Sequence, residues 1–103
     1  MSDQVQYPIK IHRADGAIEE STVATFTELQ KSINSDHLKT VSTLSTADSQ
    51  GKVYLVDEEI LFRSKDLVPV NISELAQTTL AEPVYGDIIE ITFDDMEAMP
   101  YSN

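Results

Sequence analysis

Cysteine is missing from the sequence, as is tryptophan, and glycine occurs only three times in 103 residues. Without cysteine there are no disulfides, no thiolate metal sites and no cysteine nucleophile. That suits a reducing compartment. The glycines, Gly16, Gly51 and Gly86, stand apart, each where a turn is expected. No glycine-rich loop of the kind that cradles a phosphate can be built from them. Histidine is also scarce, with only His12 and His37. No Gly-x-Ser-x-Gly elbow accompanies them, so the usual parts of nucleophilic catalysis are missing. No apolar run approaches the ~18 residues needed to cross a bilayer. The polar start lacks the basic-then-apolar pattern of a secretory signal. The expectation is a soluble, cytoplasmic, non-catalytic protein with no cofactor and no membrane contact.

Positive charge is scarce too, and unevenly placed. Eighteen acidic residues face seven Lys and Arg, for a net charge of −11. Residues 1–65 carry ten acidic and seven basic side chains, a sum of −3; residues 66–103 carry eight acidic and none basic, a sum of −8. Phosphate contacts need Lys and Arg, so direct nucleic-acid binding is not expected. A basic protein partner is favoured instead.

The patterning is that of one α+β domain over residues 1–93, followed by an acidic flexible tail, 94–103. Tyr7 to His12 alternates, with Tyr7, Ile9 and Ile11 on one face and Lys10 and His12 on the other, which predicts a half-buried strand. On that polar face His12 reads as a surface histidine. Ala14-Asp15-Gly16-Ala17 predicts a hairpin turn into a second strand at Ile18–Thr22. Thr25-Phe26-Thr27-Glu28 is a capping box, in which Glu28 reaches back to the amide of Thr25, and it opens a helix from Phe26 to Ile33. Strands are predicted at Lys39–Leu44 and Lys52–Val56. Asp57–Glu59 reads as a turn and Ile60–Arg63 as a returning strand. Asn71 and Glu74 repeat the cap pattern before a second helix containing Ile72, Leu75, Ala76 and Leu80, which ends at Pro83. A last strand spans Asp87–Phe93. The expected order is β-β-α-β-β-β-α-β: a mainly antiparallel sheet of five to six strands with two short helices on one face.

Within the second half, Val53 to Leu61, Leu67 to Asn71, Ala76, and Val84-Tyr85-Gly86-Asp87-Ile88-Ile89 follow one another as strand, acidic turn, Asn-to-Ala stretch and Gly-Asp-apolar strand. In this the chain resembles a family of small domains common in phages and mobile elements. The resemblance implies an accessory protein and carries no active site with it.

Two candidate sites follow. Glu82, Asp87, Glu90, Asp94, Asp95 and Glu97 lie within sixteen residues with no basic neighbour. If Asp87–Phe93 is an edge strand, they extend one acidic surface that docks on a basic host protein, possible targets including a defence component. Alternatively Tyr54, Arg63 and Tyr85, with Phe62 near them, line a pocket for a small anionic, nucleotide-like ligand, which a homo-oligomer would sequester. A third reading, a small hydrolase, needs two carboxylates fixed in one pocket. Asp57-Glu58-Glu59 and Asp94-Asp95 lack the spacing of a dedicated cation loop, so no metal is expected.

Overall fold

A computed structural model describes residues 5–43, 51–62 and 66–102. The fold is α+β: a five-stranded antiparallel sheet with three short α-helices. Strands β1 (Tyr7–His12) and β2 (Ile18–Val23) are joined by the expected hairpin. At its turn Gly16 N donates to Arg13 O at 2.9 Å and Arg13 N to Ala17 O at 2.8 Å. Gly16 has φ +95°. This is a type I turn closed by a glycine bulge, and the left-handed position favours glycine.

Helix α1 (Phe26–Ser32) follows, capped by Thr25, whose hydroxyl accepts from Glu28 N at 3.2 Å. The Glu28 carboxylate reaches back to Ala24 N at 3.1 Å, one residue earlier than the expected Thr25 amide. Strand β3 (Leu38–Thr40) pairs with β4 (Lys52–Asp57), and β5 (Ile88–Thr92) comes late in the chain. The strand order is β2-β1-β5-β4-β3. The last strand thus lies in the middle, paired with β1 on one side and β4 on the other.

Both faces of the sheet carry a core. On one, Ile9, Ile11, Val23, Leu55, Ile89 and Ile91 pack with Leu29 of α1 and with Met99. On the other, Tyr54, Val56 and Ile88 pack with Val41, Leu80 and Val84, and with Leu75 and Ala76 of α2 (Glu74–Thr78). The two expected helices therefore cover opposite faces rather than one. The reason lies in β4 and β5. Val53 and Leu55 of β4 alternate with Tyr54 and Val56, so both faces of the strand are apolar. Ile88 adds a fully buried side chain to the second face.

Three further expectations are corrected. Glu58–Phe62 is a 3-10 helix, so the sixth strand at Ile60–Arg63 does not form within its described part; Arg63 lies outside the described residues. Both edges of β4 are already taken by β3 and β5, and Asp57 Oδ1 accepts from Glu59 N at 2.9 Å, which bends the chain. Helix α2 is capped by Ser73, not Asn71. Asn71 is buried and acts as a clamp. Its Nδ2 donates to His12 O at 2.9 Å and Gly86 O at 3.1 Å, and its Oδ1 accepts from Ser73 N at 2.8 Å. Finally, the expected loose tail begins as a helix, α3 (Phe93–Ala98), and Met99 enters the core. The amides of Phe26 and Thr27 donate to Pro100 O and Tyr101 O, both at 2.9 Å, and the rings of Phe26 and Tyr101 stack. The first turn of a helix has amides with no partner inside it, and here the chain after α3 supplies accepting carbonyls for two of them.

Candidate functional site

The central position of β5 decides where the acidic residues lie. Glu90 is opposite Lys10 of β1 on one side and Tyr54 of β4 on the other. Its side chain is only 11% exposed. Oε1 accepts from His12 Nε2 at 3.1 Å, and Lys52 Nζ lies 3.3 Å from Oε2. The hydrogen bond from His12, and to a lesser extent the Lys52 charge, hold the Glu90 carboxyl below its ordinary range despite burial. An ionised carboxylate only accepts, so Nε2 carries the shared hydrogen. His12 is 5% exposed rather than at the surface, and its Nδ1 is buried without a hydrogen-bond partner. Burial raises the Tyr54 phenol above its usual value, and the Glu90 charge adds to this. Both shifts lead away from neutral pH, the opposite of what tunes a general acid or base. Through His12, Glu90 and Lys52 the cluster links β1, β5 and β4 side chain to side chain.

The remaining acidic residues divide into two groups. Asp87 is used internally: Arg13 Nη1 donates to it at 2.8 Å and Ala14 N at 3.0 Å. Arg13 also pairs with Glu19. Glu82 lies 3.6 Å from Lys39 at the far side of the sheet. Glu82, Asp87 and Glu90 thus do not share one surface, and the edge-strand condition for it is not met. Asp94, Asp95 and Glu97 differ. They lie on α3, and among the described residues no cation pairs with them. Asp94 and Asp95 occupy the first turn of α3, where a negative charge favours the helix. Glu97 has no such local role. Phe93 and Tyr101, on either side of this segment, are exposed. Beside Pro100 a groove of about 210 Å³ is lined by Val5, Tyr7, Ala24 and Pro100.

Of the residues proposed for a small ligand, Tyr54 is part of the second core and Tyr85 forms a bridge with Val70. Arg63 lies outside the described residues, and Phe62 is exposed on the 3-10 helix. A shallow groove of about 220 Å³ opens elsewhere, lined by Pro8, Lys10, Glu20, Lys52, Glu90 and Thr92 among others. Its origin is the proline. Pairing of β1 with β5 stops at Lys10 and Glu90, two residues before Pro8 would face Thr92. Proline has no amide to extend the ladder, so the strands part there.

Among the described residues no group of three metal-ligating side chains comes together, and no helix is long and apolar enough to cross a membrane. His12 and Lys52 were not among the predicted site residues. The signal for them was parity: both share the face of Glu90, but only the strand order brings them to it. No protein-family model, curated protein or solved structure matches this chain.

Proposed function

We propose that this protein is a non-catalytic accessory module that acts by stoichiometric binding, and that it docks on a basic protein partner through the α3 end of the sheet. One observation carries the reading. Asp94, Asp95 and Glu97 have no counter-ion among the described residues and are held on a segment tied to α1 by two backbone hydrogen bonds, with exposed Phe93 and Tyr101 beside them. A backbone already held in place has less entropy to lose on binding. Neighbouring aromatic rings supply the apolar contact that charge alone lacks. The excess of acid over base across the chain steers a cationic partner toward it. The accessory role matches what the resemblance of the second half implies, with a host component as the target.

The test is a titration with lysine- and arginine-rich peptides that also carry aromatic residues. Binding should weaken steeply as salt rises past about 0.15 M. The variant Asp94→Asn, Asp95→Asn, Glu97→Gln should lose about tenfold or more in affinity. Equal binding by the wild type and this variant would remove α3 from the interface.

A further inference from the structure

Strand β2 is an edge of the sheet, and five of its six residues are exposed. Protein edges of this length are usually blunted by charged side chains, proline, a bulge or a covering loop, and β2 carries the first of these in Glu19 and Glu20. Between Ile18 and Val23 there is neither proline nor glycine, and the register with β1 is continuous. The direction of each amide follows from the hairpin. Arg13 N donates to Ala17 O. Alternation then makes Ile11 with Glu19, Ile9 with Ser21 and Tyr7 with Val23 the hydrogen-bonded pairs. Pro8 opposite Thr22 agrees with this, since proline could not donate there. The backbone groups of Ile18, Glu20 and Thr22 therefore point outward, away from β1.

The side chains along this edge define what fits. Glu19 is held by Arg13, while Glu20, opposite Lys10, makes no ion pair among the described residues. Ile18 is 60% exposed at one end. Past Val23 the edge runs to Ala24, which lines the groove with Val5, Tyr7 and Pro100. From Ile18 to Ala24 spans about 20 Å of extended chain. Self-pairing of β2 would bring Glu19 and Glu20 of two copies together, in a chain of net charge −11.

We propose that β2 accepts a sixth strand, an extended segment of a basic protein. That segment has apolar residues at its first and seventh positions and Lys or Arg between them, on the face that meets Glu20. This rests on the reading of a basic partner and specifies how the partner is bound. Main-chain hydrogen bonds to Ile18, Glu20 and Thr22 give affinity, and the alternate side chains give selectivity.

The probe is the peptide Val-Thr-Lys-Thr-Lys-Thr-Val, which satisfies the pattern in either direction. Its control, Val-Thr-Lys-Pro-Lys-Thr-Val, has the same charge but cannot complete a strand. At about 50 mM salt, where surface charge is little screened, the first peptide should slow amide exchange at Ile18, Glu20 and Thr22 by about tenfold or more. The amides of Glu19, Ser21 and Val23, already bonded to β1, should change little. Thr22→Pro removes one outward amide without altering charge and should cut affinity about tenfold. Glu20→Lys, which leaves the backbone intact, should do the same if Thr22→Pro disturbs the fold. Equal binding of the two peptides, or no protection at the three outward amides, would overturn strand addition. So would protection that appears with protein concentration alone, since that would make the sixth strand a second copy. Loss of binding in the α3 triple variant without protection on β2 would leave the basic-partner reading standing and remove this one.

Discussion

Replacing Glu90 by Gln tests the central cluster. The carboxylate accepts from His12 Nε2 at 3.1 Å and faces Lys52 Nζ at 3.3 Å, with side-chain exposures of 6% for His12, 11% for Glu90 and 37% for Lys52. A hydrogen bond to a charged group contributes about 1.5–3 kcal/mol. The Lys52 arm is partly exposed and screened, so it adds only about 0–1 kcal/mol. Gln retains one acceptor oxygen and keeps part of the His12 bond. The expected net loss at neutral pH is therefore about 1–2 kcal/mol, or a fall in Tm of about 4–15 °C for a domain of this size. The pH dependence follows from the direction of the shift. Glu90 is held below its ordinary range in the folded state. Its contribution is complete above the unfolded value of about 4.3 and is lost as pH falls through the folded value. The gap between wild type and Glu90→Gln should thus close in acid. With no tryptophan in the chain, urea unfolding followed by far-ultraviolet circular dichroism at pH 7 and pH 3 is the assay. A gap of the same size at both pH values would refute the reasoning. So would a variant as stable as the wild type at pH 7, since relief of net repulsion would then outweigh the pair.

Other perturbations test the frame around the cluster. Gly86 has φ +79°, and a Cβ there would come within 2.5 Å of Ile60 Cδ1. Gly86→Ala should cost about 1–2 kcal/mol from the backbone alone and more than Gly16→Ala, whose new Cβ meets Ile72 at an ordinary 3.5 Å; paired thermal melts give the ranking. Asn71→Asp keeps the shape but loses both donors to His12 O and Gly86 O, and should cost roughly 2–4 kcal/mol by urea unfolding. A chain ending at Met99 strips the two carbonyls from the first turn of α1 and the ring from Phe26. It should lose about 1–2 kcal/mol and show faster exchange at the amides of Phe26 and Thr27.

Local signals carried much of the fold. Alternation located β1, β2, β4 and β5; the Asp15-Gly16 pair located the hairpin; Thr25 and Glu28 located the start of α1. What alternation cannot say is which strands are neighbours. Residues 87–93 read equally well as an edge or as a centre, and the second choice turned Glu90 from surface charge into a buried partner of His12. Ile60 to Phe62 is apolar enough for a strand, but both sides of β4 were occupied. Asn71 has the chemistry of a cap, yet its amide bridges segments distant in sequence, and Ser73 supplies the cap two residues later. The acidic residues after Lys65 were legible as a group. That Glu82, Asp87 and Glu90 have internal partners, while Asp94, Asp95 and Glu97 of α3 pair with no cation among the described residues, depends on where Arg13, Lys39 and Lys52 fall.

The strand order also governs when the molecule can assemble. β1 with β2 and β3 with β4 are ribbons of near neighbours in sequence, and each can close early. Neither is a sheet until β5 arrives between them, pairing Ile88 with His12 across most of the chain and Ile89 with Leu55. Long-range pairing of this kind is slow, because the loop must close before any contact rewards it. Until then the inner sides of β1 and β4 are as open as the outer side of β2, and the nascent chain presents more unsatisfied strand edge than the finished one. Substitutions in β5 should therefore slow folding, and those in the 13–17 turn should chiefly alter how fast a ribbon forms. The interval before β5 inserts is when this protein is most exposed to mispairing.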